Sequence, residues 1–391
     1  MIMKYAITIA ALVAVSFGMA ACSGDDKPRN PIGPSPGTQT LLDPPDGATD
    51  QPLRVVLNWP GDSAATFDHF QLFFGPASPP PLIAGSISDT FFVTQPLQPG
   101  VSFFWRVVAV SDSGVGDRSS VWTFRTTDVN DTREIASFPL SVGARWDYQA
   151  LSLQIDRLTG DSSVFFSGAA QLSVDSTTLG FDSRILHVLK QKIALSDGFE
   201  CEENMFFENT SDGLLFYGSD NVCSIGPFPL RPVSQSSLYF RGRIFNSSSE
   251  LLAYILPDGP LSGYAVSGSA NKLGPEDPPV LSLKYPLKIA QRWTYREPDN
   301  PFAIEKLVSL DETLTTDAGT FECLRVQWLH DIDANGIWDG DVDISDWIAE
   351  EGLIKRELIV RGVERRNEVG EVIGIYDFFQ QHSLTAVQAA P

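Results

Sequence analysis

Histidine and methionine are scarce in this chain, which has four of each among 391 residues, and cysteine also occurs only four times. His69, His187, His330 and His382 are scattered along the sequence, so their spacing gives no histidine metal site. The sequence also lacks the His-Glu-x-x-His and Cys-x-x-Cys motifs, a phosphate-binding glycine loop and a dinucleotide-binding fingerprint. Because none of these motifs is present, we expect a protein that is not an enzyme.

Positively charged residues are also few in comparison with negatively charged ones. Lysine and arginine number 28 against 49 aspartates and glutamates, which gives a net charge of −21. Nucleic acids and anionic lipid surfaces are negative themselves, so this chain is poorly suited to bind either by electrostatic attraction. We therefore predict no nucleic-acid partner.

Helix signals are nearly absent, whereas turn-forming and aromatic residues are frequent. The chain contains 31 glycines, 27 prolines and 25 phenylalanines, a composition typical of short strands joined by turns. Its length corresponds to two or three domains at roughly 150 residues each. The predicted fold class is all-β: an N-terminal immunoglobulin-like β-sandwich followed by a larger antiparallel β domain built from two related halves.

The first residues have the pattern of an export signal. A basic start precedes an apolar stretch, residues 7–17, that is too short to span a bilayer. The sequence Met19-Ala20-Ala21-Cys22 resembles the lipobox of bacterial lipoprotein precursors. This resemblance implies that residues 1–21 are removed and that Cys22 is diacylated, so that the membrane is a partner through a lipid anchor. Ordinary signal-peptidase cleavage that leaves Cys22 free is the alternative.

Residues 22–37 follow this signal and are rich in proline, glycine and charge, which predicts a disordered tether. Ser23 stands where inner-membrane lipoproteins of enteric bacteria have an aspartate. The resemblance therefore implies an exported protein that is anchored to the cell envelope, at the outer membrane of a Gram-negative bacterium.

Residues 38–127 show the alternation of apolar and polar side chains that is typical of a β-sandwich. The turn Pro44–Gly47, the segment Leu97–Val107 and the closing strand Trp122–Thr126 resemble the fibronectin type III family. Phe103 departs from the family, which usually has a tyrosine there. The resemblance implies a rigid spacer, with a ligand-binding module as the alternative.

A polar stretch, residues 128–136, predicts a linker to a β-rich domain of unknown function over residues 137–385. This domain contains an internal repeat, because Phe138–Tyr148 matches Tyr285–Tyr295 and the two copies begin 147 residues apart. The repeat favours two related halves of one domain.

Three segments of this domain, residues 286–295, 318–326 and 347–355, resemble recurring segments of a loosely defined set of bacterial secreted β-proteins that includes TapB-like lipoproteins. This resemblance implies the fold and no particular chemistry.

The cysteines divide into three groups. With Cys22 assigned to lipid, Cys201 and Cys223 lie in adjacent acidic segments and are predicted to form a disulfide, which export would permit. Cys323 lies within an alternating strand and is expected to be a buried free thiol rather than a nucleophile.

The most specific local pattern is an acidic stretch over residues 331–343. Oxygen-bearing side chains at positions one, three, five and nine and a glycine at position six reproduce the start of an EF-hand calcium loop. The pattern fails at position twelve, where Val342 replaces the usual glutamate. The sequence predicts a structural calcium ion, with a charged, solvated hairpin tip as the alternative. The candidate ligands are Asp331, Asp333, Asn335, Ile337, Asp339, Asp341 and Asp343.

Together these features predict an exported lipoprotein with a non-catalytic binding or structural role and a protein or glycan partner. The aromatic content of the second domain leaves open a carrier of lipid or another apolar ligand in a curled β domain. A carbohydrate-active or other hydrolase is the second alternative, since 49 acidic residues provide many carboxylate pairs.

Overall fold

The structure is a computed structural model that describes residues 43–59, 67–111, 114–130, 133–180, 183–195, 200–220, 236–256, 279–298 and 302–390. The predicted leader, Cys22, the tether and Cys223 lie outside these residues. The described part of the chain is nearly all β, as predicted.

Two sheets form the first module, over the described part of residues 43–127. One sheet has the strand order β1-β8-β6-β3-β4 with β7 paired to β6, and the other pairs β2 with β5. Their bounds are β1 Ala48–Gln51, β2 Val56–Asn58, β3 His69–Gly75, β4 Leu82–Ile87, β5 Phe91–Val93, β6 Ser102–Ser111, β7 Gly114–Arg118 and β8 Trp122–Thr126.

Alternation along these strands explains the packing. Leu57 from one sheet and Leu72 and Trp105 from the other are fully buried and meet in a single apolar cluster. Phe103 stacks on Phe74 with the ring centroids 5.3 Å apart. A sandwich with one buried face per sheet follows, as the period of two predicts.

The second module is a single curled sheet with the path β16-β13-β12-β11-β10-β9-β22-β21-β20-β19-β18-β17, and β14 and β15 attach at β21. Its neighbouring strands pair antiparallel throughout this path. The bounds are β9 Arg145–Asp156, β10 Ser162–Leu179, β11 Ile185–Leu195, β12 Glu200–Asn209, β13 Gly213–Asp220, β14 Ser236–Phe240, β15 Arg243–Phe245, α1 Ser248–Ile255, β16 Val280–Lys284, β17 Arg292–Arg296, β18 Ala303–Thr316, β19 Gly319–Asp331, β20 Val342–Ala349, β21 Gly352–Asn367 and β22 Val372–Gln388.

The sheet is nearly closed because its two end strands, β16 and β17, approach each other. Side chains bridge this seam. The Trp293 indole donates to the Leu281 carbonyl at 3.1 Å, and the Lys306 ammonium donates to the Ser282 carbonyl at 3.0 Å. Carbonyls of β16 that face the seam are thereby satisfied without a backbone ladder.

The internal repeat is visible in the backbone. Gly143 and Ala290 occupy the same place in the turns before β9 and β17, and both have positive φ, at 99° and 66°. Each donates to a valine carbonyl of the strand that pairs with the following one, Gly143 to Val174 of β10 at 2.8 Å and Ala290 to Val308 of β18 at 2.9 Å. The copies also touch, since the Phe138 amide donates to the Tyr285 hydroxyl at 2.7 Å. The two halves therefore begin with the same turn.

Helix α1 is a short exception in a chain whose sequence has few helix signals. Strand β14 stops at Phe240 because Arg241 and Gly242 form a turn with positive φ, at 47° and 76°. The helix then starts at the cap residue Ser247, whose hydroxyl accepts from the Glu250 amide at 3.1 Å. No helix among the described residues is long and apolar enough to cross a membrane.

The predicted linker, residues 128–136, ends inside the larger core. Ile135 is buried and pairs with Leu287 through a backbone bridge. Ile135 is therefore anchored to the core of the curled sheet, whereas residues 128–130, 134 and 136 are exposed, and the linker stays a prediction.

Candidate functional site

The acidic loop, residues 331–343 between β19 and β20, lies against the sandwich. Gln95 of the sandwich accepts from the Trp338 amide at 3.1 Å and donates to the Trp338 carbonyl at 3.0 Å. Gly340 faces Val93 so closely that a Cβ there would stand 3.1 Å from the valine Cβ. The loop is therefore a contact surface between the two modules.

Arg54 is the sandwich residue that reaches furthest into this contact. It is 1% exposed and donates through Nη2 to the Asp339 carbonyl. Its Nε and Nη1 have no hydrogen-bond partner among the described residues. The pKa of Arg54 is lowered overall, because the effect of burial outweighs the opposing effect of the negative charges of Asp343 and Asp339. The acidic loop thus supplies most of the counter-charge for a buried guanidinium of the other module.

The neighbouring backbone fixes this arrangement. The Leu53 amide donates to the Ser309 carbonyl at 2.9 Å, at the point where the β18–β19 pairing shifts register between Val308 and Leu310. Such a bulge turns a ladder carbonyl away from its own sheet, which frees it to accept from another segment. Leu53 itself packs in the core of the curled sheet.

Arg241, from the β14–β15 turn, is the second cation at the loop. It contacts Asp341 at 2.6 Å, Asp339 at 2.8 Å and Asp333 at 3.3 Å. Burial lowers the pKa of Arg241, but the hydrogen bond to Asp341 and the three carboxylates raise it overall. Burial raises the pKa of Asp339 to about 6, although the Ile332 amide and Arg241 act in the opposite direction.

The remaining predicted calcium ligands make local bonds. Asp331 accepts from the amides of Asn335 and Gly336 at 3.0 Å each, and Asn335 accepts from the Ile337 amide at 2.7 Å. Ile337 is exposed. These bonds build the turn.

Several carboxylates that were predicted to bind calcium form ion pairs with arginines instead. Asp343 lies 3.6 Å from Arg361, and a guanidinium stands between Asp333, Asp339 and Asp341. Among the described residues no group of three or more histidine, cysteine or acidic side chains is arranged to hold a metal ion. The loop as described therefore fits an arginine-neutralised cluster better than a calcium site, and calcium binding stays a prediction.

Sequence reasoning identified the acidic residues but missed the arginines. Arg54 and Asp339 are separated by 285 residues, and Arg241 lies 100 residues from Asp341. No local spacing links such partners, so only the closed topology brings them together.

A second cluster lies inside the curled sheet. Its members, Lys306, Asp346 and Arg356, are called the inner cluster here, and all three are buried. Arg356 donates to both carboxylate oxygens of Asp346, at 2.6 and 2.9 Å, and the Trp328 indole donates to the same carboxylate at 2.9 Å. Pairing in the sheet explains the proximity, because Asp346 and Arg356 are direct cross-strand partners, as are Lys306 and Trp328.

Burial controls the protonation of this interior. It lowers the pKa of Lys306 to about 7, with Asp346 opposing the shift. It also lowers the pKa of His382, the cross-strand partner of Arg356, to about 3. For Asp346 burial raises the pKa, but Arg356 more than compensates and holds it below its usual value.

A cavity adjoins the inner cluster and has a volume of about 30 Å³. It is lined mainly by apolar side chains, and its polar lining residues are Ser282, Lys306, Asp346 and Arg356. One water molecule needs roughly 10–15 Å³ on this measure. The cavity thus has room for two or three water-sized particles and not for a lipid chain.

Two of the four cysteines, Cys201 and Cys323, lie in the described part of the chain. Cys323 is fully buried, as predicted, and burial raises the pKa of its thiol to about 12. Cys201 lies on β12 opposite Ile193. Because Cys223 lies outside the described residues, the Cys201–Cys223 disulfide stays a prediction.

A scan against protein-family models finds no match to this chain, and a search of curated proteins finds none either. Among solved structures, the chain is similar to a protein from Bacteroides fragilis NCTC 9343 with a YmcC-like fold, which is thought to be exported. The two are 14% identical, and the match covers 65% of this chain and 99% of that one with a TM-score of 0.27. A likeness of this size carries no argument about function.

Proposed function

We propose that this protein is an exported, lipid-anchored protein of the cell envelope with a non-catalytic role. In this proposal the sandwich and the curled sheet act as one rigid body, which the tether holds away from the membrane and which presents its surface to a protein or glycan partner. The observation that carries the proposal is the contact between Arg54 and the acidic loop.

Several bonds support rigidity at this contact. The Arg54 guanidinium, the Leu53 amide and both polar groups of the Gln95 side chain bond to the curled sheet. A second connection lies nearby, where Arg157 pairs with Asp89 of the sandwich and Asp377 of the sheet, each at 2.6 Å. A spacer that carries a functional surface requires such a fixed orientation, because a free hinge would let the surface collapse onto the membrane.

Burial of the reactive groups supports the non-catalytic part. Cys323, His330, His382 and Lys306 are all at most 2% exposed. A nucleophile or a general base must reach its substrate within hydrogen-bond distance. These side chains are therefore placed for packing rather than for turnover.

The cavity beside the inner cluster is too small for the ligand of a carrier. Ligand pockets for small molecules span about 300–1,000 Å³, roughly ten times the cavity beside the inner cluster. The aromatic residues that suggested a carrier, such as Trp146 and Trp293, are buried core side chains that bond to backbone carbonyls.

Labelling with radioactive palmitate in a Gram-negative host tests the proposal. We expect the full chain to incorporate label and to fractionate with membranes, and a Cys22→Ala variant to lose both properties. A Cys323→Ala variant is the matched control, since its thiol is buried and should not affect labelling. An unlabelled wild-type protein that fractionates with soluble proteins would contradict the anchor.

A further inference from the structure

Exposed aliphatic side chains gather at the tips of two neighbouring hairpins, β9–β10 and β21–β22. The Arg157 amide donates to the Ile375 carbonyl at 2.9 Å, so the two tips lie side by side. The four side chains that are called the apolar tips here are largely exposed: Leu158 79%, Val369 79%, Ile373 54% and Val372 48%. Neighbouring apolar groups that are exposed to this extent mark a contact surface.

The predicted tether joins the folded body beside these tips. Asp43, the first described residue, exchanges backbone hydrogen bonds with Asn58, and Asn58 pairs with Phe91 across the β2–β5 sheet. The Arg157 guanidinium lies over the Phe91 ring, 5.5 Å from its centre, and Leu158 is the next residue in the chain. The segment that leads to the predicted lipid anchor therefore leaves the described body on the side of the apolar tips.

This segment is long enough to let the apolar tips touch the bilayer that holds the anchor. It comprises residues 22–42, of which residues 22–37 are the predicted disordered tether. A flexible segment of this length has a root-mean-square span of about 25 Å and an upper limit of about 70 Å. A lipid anchor at its start therefore keeps the apolar tips near the lipid surface.

The chemistry of the apolar tips fits a zwitterionic bilayer. Their side chains are all aliphatic and lie in or next to turns, so they can enter the interface of a bilayer while the strands stay paired behind them. Glu368 and Glu371, on either side of Val369, are exposed carboxylates, whereas Arg366 is paired with Glu364 at 2.6 Å. Because the whole chain has a net charge of −21, anionic headgroups and a second copy of this chain would both repel it. Zwitterionic phospholipid carries no net charge and does not.

We propose that the apolar tips insert into the headgroup region of a zwitterionic bilayer, the membrane that carries the lipid anchor. This inference rests on the proposed anchor and adds a second contact, which sets the orientation of the rigid body. Only the apolar tips touch the bilayer, and the opposite end of the curled sheet points away from it. β10 has 18 residues, which at about 3.3 Å per residue makes it roughly 60 Å long. The β10–β11 hairpin, with the exposed pair Leu179 and Ile185, therefore lies far from the apolar tips.

The test uses the full lipid-anchored protein in phosphatidylcholine vesicles. A spin label at Val369, attached through a genetically encoded keto amino acid, reports collisions with oxygen, which dissolves in lipid, and with a nickel complex, which stays in water. A label at Leu179, on the far hairpin, is the matched control. We expect the Val369 label to lose most of its collisions with nickel and to collide more often with oxygen than the Leu179 label.

Variants of the apolar tips sharpen this test. Leu158→Ser combined with Ile373→Ser should abolish the protection of the Val369 label from nickel, whereas the matched change Leu179→Ser combined with Ile185→Ser should leave it intact. The inference is overturned if the wild-type Val369 label is as open to nickel as the Leu179 label, or if the serine changes at the apolar tips leave its protection unchanged. Shielding from nickel and oxygen alike would also overturn it, since cover by a protein has that effect.

Flotation of the vesicles separates this inference from the proposed anchor. We expect the wild type and both serine variants to float with the vesicles. A protein that does not float overturns the anchor and this inference with it. A protein that floats with an aqueous Val369 label overturns this inference alone.

Discussion

The acidic loop and the inner cluster both hold charged side chains close together, but they differ in burial and in the groups that neutralise the charges. In the acidic loop, Arg241 pairs with three carboxylates, and Arg54 of the sandwich donates to the Asp339 carbonyl of the same loop and so connects the two modules. In the inner cluster the Arg356–Asp346 pair is deeply buried beside the Lys306 amine, whose pKa burial lowers to about 7. The loop therefore contributes to the contact between the two modules. In the interior, burial of a charge costs desolvation free energy, which neighbouring groups must offset.

The largest expected effect is in the interior. Replacing Asp346 by Asn removes the carboxylate that forms the bidentate pair with the buried Arg356 guanidinium, which should lower the free energy of unfolding by about 3–5 kcal/mol. Urea denaturation measures this change. Glu350→Gln, on an exposed turn, is the matched control and should be near neutral. A loss below about 1 kcal/mol in Asp346→Asn would mean that the interior charges are not coupled as described.

The next effect is at the contact between modules. Arg54→Ala should lower stability by about 2 kcal/mol and should split a single calorimetric transition into two, because the sandwich loses its buried anchor. Arg125→Ala, which removes a half-exposed arginine of the sandwich, should leave one transition. If Arg54→Ala still unfolds in one step at the wild-type temperature, the arginine does not couple the modules.

Acidification should change the stability contributions of His382, beside the inner cluster, and of Asp339, in the acidic loop, in opposite directions. The pKa of His382 is lowered to about 3 in the folded protein, so between pH 6.5 and 3 the unfolded chain binds a proton that the folded chain does not. The stability contribution of His382 is therefore present above pH 6.5 and is lost on acidification, by about 1.4 kcal/mol per pH unit. His382→Gln should reduce the pH dependence of urea denaturation by this amount.

The stability contribution of Asp339 should change in the opposite direction on acidification. Its pKa is raised to about 6, so the folded protein binds the proton first and acidification through pH 6 stabilises it. Asp339→Asn should therefore steepen the loss of stability between pH 6 and 4. Equal slopes in the wild type and both variants would contradict the two shifts.

The smallest effect concerns calcium at the loop. Because Arg241 stands among the carboxylates, millimolar calcium should not change the wild-type melting temperature, whereas Arg241→Gln should lose about 1 kcal/mol and gain a calcium-dependent rise. A wild-type protein that is stabilised by calcium as strongly as Arg241→Gln would support the calcium loop predicted from the sequence instead.

Local patterns predicted the strands and much of the packing. Alternation placed Leu57 and Trp105 in the sandwich core, and the repeated Trp-x-Tyr segments marked the turns before β9 and β17. Local patterns could not predict the partners of the acidic loop, because Arg54 and Arg241 lie in a bend and a turn whose positions depend on closure of the sheet. The inner cluster was missed for the same reason, since Lys306, Asp346 and Arg356 meet only through pairing across several strands.

The distance between spin labels on the two modules tests the central claim most directly. Leu82 on the sandwich and Val369 on the curled sheet are exposed, and both can carry labels through a genetically encoded keto amino acid, which leaves the cysteines untouched. Pulsed electron paramagnetic resonance should give one narrow distance distribution in the wild-type background and a broad one with Arg54→Ala. A broad distribution in the wild-type background would contradict a single rigid body.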